Sequence, residues 1–138
     1  MGYTVSLIID YMRENGKIIK CMDMENLLGL KKKKYCGFYK YDKKDGFGLY
    51  YWPDNKFFIG FWKEGKQNGF GKYIKNNDVK YGLWRDGKKE KMYSNDEEEV
   101  FFKDLEEEFE GNYVKIFKWD IKKLKEFMDV GEEEDEEN

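Results

Sequence analysis

Side chains able to do covalent or acid–base chemistry are few in this chain. It has 138 residues, no histidine, two cysteines (Cys21 and Cys36), and serine only at Ser6 and Ser94. A catalytic nucleophile needs an adjacent base to activate it, and no such pairing stands out. Asp and Glu together number 29, and that abundance singles out no acid–base pair. Cys21 and Cys36 fit neither a zinc pattern nor a disulfide framework, and reduced thiols in an intracellular chain are the default expectation. No glycine-rich loop opens a helix to cradle a phosphate. The expectation is a protein that is not an enzyme, with no cofactor and no metal.

The spacing that does stand out concerns binding rather than reaction. Tyr35-Cys36-Gly37-Phe38-Tyr39 is followed by Gly46-Phe47-Gly48, and Phe58-Ile59-Gly60-Phe61-Trp62 by Gly69-Phe70-Gly71. Lys80-Tyr81-Gly82-Leu83-Trp84 begins a third copy. Gly37 and Gly60 lie 23 residues apart, as do Gly46 and Gly69, and Gly60 and Gly82 lie 22 apart. A fixed period of this length marks a repeat architecture. Alternate residues of a strand share a face, so Phe58, Gly60 and Trp62 point one way, and so do Gly69, Gly71 and Tyr73. Lys63-Glu64-Gly65-Lys66-Gln67-Asn68 reads as the hairpin connection between them. Each unit is then a β-hairpin with glycines and rings on one face, Trp62 or Tyr73 lying flat over the glycine backbone. Trp52-Pro53-Asp54-Asn55-Lys56 reads as the turn between units.

This pattern, aromatic-x-Gly-x-aromatic with Gly-x-Gly about nine residues on, resembles the MORN (membrane occupation and recognition nexus) repeat. The second unit carries the fullest match, in Phe58, Gly60, Trp62, Gly65, Lys66, Asn68, Gly69, Gly71 and Tyr73. The first keeps Tyr35, Gly37, Gly46, Gly48 and Tyr50 but has Asp42-Lys43-Lys44-Asp45 in place of the turn glycine. The third keeps Gly82, Trp84, Gly87 and Lys88, with Lys80 for the leading aromatic and no later Gly-x-Gly. The resemblance implies a mainly β fold: an antiparallel hairpin-repeat sheet of about two and a half units. It also implies a scaffold role in cytoskeletal, ciliary or membrane-cortex assemblies.

The flanks read as caps. Residues 1–34 form an N-terminal helix or hairpin: Val5, Ile8, Ile9 and Met12 have helical spacing, while Asn15-Gly16 also suits a turn into 17–20. Met1-Gly2 with Ser6 formally matches a myristoylation signal, though packed structure suits Tyr3 and the apolar run better. After the repeats (35–93), residues 94–131 form a helical segment. Asn95 or Asp96 caps its first helix, Phe101, Leu105 and Phe109 share a face, and Gly111 ends it. Asp120 caps a second helix from Ile121. Residues 132–138 are a disordered acidic tail. The short repeat array needs covering, so Phe101, Leu105 and Phe109 are expected to dock at the Trp84 end.

Charge is split along the chain. Residues 1–94 carry 20 basic and 11 acidic residues, net +9, and residues 95–138 carry 6 and 18, net −12. The leading expectation is a protein partner, an amphipathic helix or peptide in an aromatic groove of Tyr39, Tyr50, Trp62, Tyr73 and Trp84, with lysines at the rim. The chain's own C-terminal helix is one candidate occupant. The structural glycines are Gly37, Gly46, Gly48, Gly60, Gly69, Gly71 and Gly82. A second expectation is anionic phospholipid bound by Lys31, Lys32, Lys33 and Lys34. Nucleic acid ranks last, because the acidic segment competes with it. The expected location is cytoplasmic, at the cytoskeleton, cilium or membrane cortex; oligomeric state is not readable.

Overall fold

The computed structural model describes residues 20–24, 33–109 and 113–130. The expected N-terminal helix or hairpin over 1–19, the Gly2 motif, Lys31, Lys32, Gly111 and the acidic tail lie outside the described residues. Among the described residues seven strands run in order: β1 (Lys20–Met24), β2 (Lys33–Lys40), β3 (Lys43–Trp52), β4 (Lys56–Lys63), β5 (Lys66–Lys75), β6 (Asp78–Arg85) and β7 (Lys88–Tyr93). They form one antiparallel sheet in which each strand pairs with the next in chain order.

Local turn chemistry makes that meander. Four connections are two-residue turns: Tyr41-Asp42, Glu64-Gly65, Asn76-Asn77 and Asp86-Gly87. Every one of these residues has positive φ. Two consecutive left-handed residues match the right-handed twist of the flanking strands. The turns also bind each other across units. The Glu64 N–H donates to Asp45 Oδ2 at 3.2 Å, and the Asp86 N–H to Asn68 Oδ1 at 3.0 Å. The Gly65 N–H donates to the Lys44 carbonyl at 2.9 Å, and the Gly87 N–H to the Gln67 carbonyl at 2.8 Å. Asp45 and Asn68, each just before a Gly-x-Gly, thus clamp the next hairpin's tip.

The register lines up the repeat glycines. Gly37 pairs with Gly48, Gly48 with Gly60, Gly60 with Gly71, and Gly71 with Gly82. The row ends at Met92, the partner of Gly82. A methyl group on Gly48 would run into the Tyr35 ring, and one on Gly71 into the Phe58 ring and, at 2.9 Å, Trp84. The leading aromatic of each unit therefore covers the glycines, rather than Trp62 or Tyr73 as the spacing suggested. Where Lys80 replaces that aromatic, the Met92 sulfur lies over Gly82 instead.

The opposite face bears Phe47, Leu49, Tyr51, Phe57, Ile59, Phe61, Phe70, Ile74, Tyr81 and Tyr93, and the helices cover it. One turn of 3-10 helix (Asn95–Glu97) leads into α1 (Glu98–Phe109), followed by α2 (Val114–Phe117) and α3 (Ile121–Met128). The first cap is Ser94, not Asn95 or Asp96: the Glu97 carboxylate accepts the Ser94 N–H at 2.8 Å. Asp120 caps α3 as expected, accepting the Lys123 N–H at 2.9 Å. Phe109 stacks on Phe61 with ring centroids 4.5 Å apart, and Phe101 lies 4.6 Å from Tyr81. Leu105, Leu124 and Met128 are fully buried. Phe101, Leu105 and Phe109 thus cap the sheet, but on the face turned away from Trp84. The physical reason is the alternation: flat glycine stretches and interlocked rings leave no ridges there, whereas the Phe/Ile face presents side chains that interdigitate with a helix.

The cysteine reading is also corrected. Cys21 sits directly opposite Cys36 in the β1–β2 register, and the two form a disulfide. Antiparallel pairing, not sequence spacing, brings them together.

Two substitutions test this packing. Leu105→Asp puts an unpaired carboxylate into a fully buried site and should abolish cooperative thermal unfolding seen by circular dichroism; an unchanged melt would refute the capping role of α1. Gly71→Ala should lower stability in urea titrations by about 2 kcal/mol through ring displacement. Gly65→Ala meets no neighbour but sits at φ +87°, so it should cost only about 1 kcal/mol.

Candidate partner-binding face

The face opposite the helices is a pavement of rings. On one side of the glycine row stand Tyr35, Tyr50, Phe58 and Tyr73, paired strand to strand, with Lys80 ending the series. On the other side stand Tyr39, Trp62 and Trp84; Trp62 pairs with Gly46 and Trp84 with Gly69. Trp62 joins two repeats, lying edge-on to Tyr35 at 5.7 Å and to Phe58 at 5.4 Å, with Tyr50 at 5.6 Å. Phe58 meets Trp84 edge-on at 4.9 Å. Aromatic pairs in such geometry add about 0.5–1.5 kcal/mol each beyond area burial.

All five expected groove residues fall on this face. Tyr50, Trp62 and Trp84 are buried among the other rings, and Tyr39 and Tyr73 are half-buried. The helices α1 to α3 pack on the other side of the sheet, so the chain's own C-terminal helix does not fill the groove. The expected set omitted Tyr35 and Phe58, which are fully buried, and the half-buried Trp52, which contacts Tyr50 at 4.5 Å. Tyr35 and Phe58 were findable, since each leads its repeat at the 23-residue period.

Lysines frame the rings. Lys44 Nζ lies over Trp62 at 5.1 Å, Tyr50 at 5.4 Å and Tyr35 at 5.8 Å. Burial, then the charge of Lys33, holds its pKa below the ordinary range. Burial likewise pushes Tyr39 and Tyr50 up, and Tyr35 further, with Tyr39 and Asp45 adding to it. These phenols stay protonated at neutral pH, and Tyr35 donates to the Phe38 carbonyl at 3.1 Å. At the other margin Lys56 meets Asp54 at 3.2 Å and Lys80 meets Asp78 at 3.9 Å. Lys33 and Lys34 open β2, Lys33 exposed. Among the described residues no group of three or more His, Cys, Asp or Glu could hold a metal ion.

Among the described residues the one strongly perturbed lysine is structural, and nothing in the sequence marked it. Lys72 is buried on the helix-covered face, and its Nζ donates to the Phe117 carbonyl at 2.8 Å and the Trp119 carbonyl at 3.0 Å. It thereby caps the C-terminal end of α2, where the carbonyl dipoles attract a cation. Burial lowers its pKa to about 8, against smaller opposing effects of Glu98 and Asp120.

One antiparallel sheet of hairpin repeats, with rings laid on a glycine row, defines a β-hairpin-repeat protein of open, single-sheet form. The repeat is the MORN repeat: the family model of that description matches residues 35–56 and 58–79, which are β2–β3 and β4–β5 with their following turns. MORN repeats commonly occur in protein- and membrane-interaction modules. No curated protein matches the chain.

The Lys72 seam predicts a pH dependence. Its pKa is lowered from 10.5 to about 8 in the folded state. Between those values the unfolded chain binds more protons, so stability rises with pH through that window. The slope is at most about 1.4 kcal/mol per pH unit. Above about pH 10 the raised tyrosines reverse the trend, because the folded state then keeps protons that the unfolded chain loses. Urea titrations from pH 7.5 to 9.5 should show the rise in the parent chain and a flatter profile in Lys72→Met.

Proposed function

We propose that the protein is a non-catalytic interaction module whose ring-paved face binds an amphipathic helix or extended peptide of another protein. The observation that carries this reading is the division of the sheet. The chain's own helices cover the Phe/Ile face, while half-buried Tyr39, Trp52 and Tyr73 stand on the ring-paved face between lysine margins. Tyr and Trp are the residues that dominate binding energy at protein interfaces. Lysines at both margins favour a partner helix with acidic flanks, through charge complementarity that sets orientation and on-rate. A scaffold role in a cytoskeletal, ciliary or membrane-cortex assembly follows from what MORN repeats commonly do. Among the described residues no helix is long and apolar enough to cross a membrane.

The second reading is peripheral binding to anionic phospholipid through Lys33 and Lys34, with Lys31 and Lys32 beside them in sequence. Exposed Lys33 at the start of β2 is the observation in its favour. The readings separate by experiment. Affinity capture from native extract, with crosslinking from position 73, should retain a protein partner at moderate salt and lose it in Trp52→Ala/Tyr73→Ala. Co-sedimentation with phosphatidylserine liposomes should stay weak and collapse as salt screens it. Unchanged capture by the double variant would remove the ring-paved face from the interface.

A further inference from the structure

A cleft of about 590 Å³ opens where the tips of the first two hairpins meet, and its walls include Lys40, Tyr41, Lys43, Asp45, Trp62 and Lys63. Its construction departs from the repeat. Tyr41, Glu64 and Asp86 occupy equivalent turn positions, with φ of 54°, 52° and 51°. The left-handed conformation suits Asn, Asp or Gly and is strained for a bulky residue. The first hairpin nevertheless places a tyrosine there, and its side chain is 87% exposed. Lys40 Nζ lies 5.7 Å from its ring centre. An exposed aromatic held in an unfavourable backbone conformation has no packing role to explain it. Trp62, only 7% exposed, contributes to the inner wall, and its indole N–H is sealed within the protein without a hydrogen-bond acceptor. A buried donor without an acceptor is costly.

From these observations we infer that the hairpin-tip cleft is a binding site for an acidic peptide segment. Lys40, Lys43 and Lys63 receive its side-chain carboxylates, and Tyr41 covers the bound chain. The mixed lining argues for a peptide over a phosphate cluster. Asp45 and Glu64 stand among the lysines; they repel a multiply charged phosphate but can accept peptide N–H groups. The tip is held in advance, because the Glu64 and Gly65 N–H groups are fixed to Asp45 and Lys44. A volume of this size accommodates several residues. The site shares Trp62 with the ring-paved face but includes neither Trp52 nor Tyr73, and it does not require that face to bind anything.

The test uses the full chain and a fluorescein-labelled hexaglutamate probe, with hexaglutamine as the neutral control, read by fluorescence anisotropy and by the Trp62 indole resonance. Saturable binding of hexaglutamate alone, with a shift of that resonance, is expected. Tyr41→Asn should weaken binding about tenfold while raising Tm by about 3 °C as strain is relieved. Lys40→Ala/Lys43→Ala should also weaken it. Trp52→Ala/Tyr73→Ala and the opposite-margin Lys75→Ala/Lys80→Ala should bind as the parent does, so this site and the ring-paved face fail independently. The inference is overturned if Tyr41→Asn binds hexaglutamate like the parent, or if Lys75→Ala/Lys80→Ala weakens binding as much as Lys40→Ala/Lys43→Ala. It is equally overturned if hexaglutamate does not bind while phosphatidylserine vesicles do, with loss in Tyr41→Asn.

Discussion

The fold depends on rings lying directly on bare backbone. Gly37, Gly48, Gly60, Gly71 and Gly82 stand side by side across five strands, and the absence of Cβ atoms there lets Tyr35, Phe58 and Trp84 come down onto the sheet. Glycine weakens a strand by its entropy, but here the rings recover burial that no aliphatic layer could provide at the same thickness. Because each ring straddles two strands, and Trp62 straddles two repeats, the hairpins are fixed to one another by the same contacts that cover them. The turn clamps at Asp45 and Asn68 repeat that logic at the sheet's margin.

A sheet built this way has two unlike faces. The ring face is nearly complete in itself, since its members shield one another. The other face carries separate Phe, Ile and Leu side chains that stay wet unless something packs on them, and α1 to α3 do so. Their attachment is apolar with a few polar contacts: the Tyr93 hydroxyl donates to Asp104 Oδ2 at 2.8 Å, and Lys72 reaches through the layer to the end of α2. Burial lowers that lysine's pKa to about 8, yet it donates to two carbonyls, so the seam trades desolvation against cap satisfaction. The result is a division of the surface: the helices are committed to the fold on one face, and they leave the ring face uncovered.

The class of protein was legible in the residues themselves. The hairpin-repeat sheet followed from Gly and aromatic spacing, and the MORN resemblance rested on the same residues that the family model matches. The connection read over Lys63–Asn68 is tighter in the structure, a Glu64-Gly65 turn with the next strand already begun at Lys66. Asp120 as a cap and the Phe101–Leu105–Phe109 stripe were readable because both are local patterns. The cysteine pairing was non-local: Cys21 and Cys36 pair only through the β1–β2 register. The cap was a local miss, since Ser94 with Glu97 three residues on forms a capping box that takes the place of Asn95 and Asp96. Tyr35 and Phe58, rather than Trp62 or Tyr73, cover the glycines, a matter of rotamer and strand twist that period alone does not carry.

By itself, then, the amino-acid order determined the unit: a hairpin, its turn residues, and the alternation separating rings and glycines from Phe and Ile. Side-chain period is a property of the strand, so it survives in one dimension. Only the folded chain decided which face the helices cover, which lysine is sealed beneath them, and where an exposed tyrosine and a buried indole meet at the same cleft. Those outcomes arise from contacts between residues far apart in sequence, and competition among packing arrangements leaves no local signature to read.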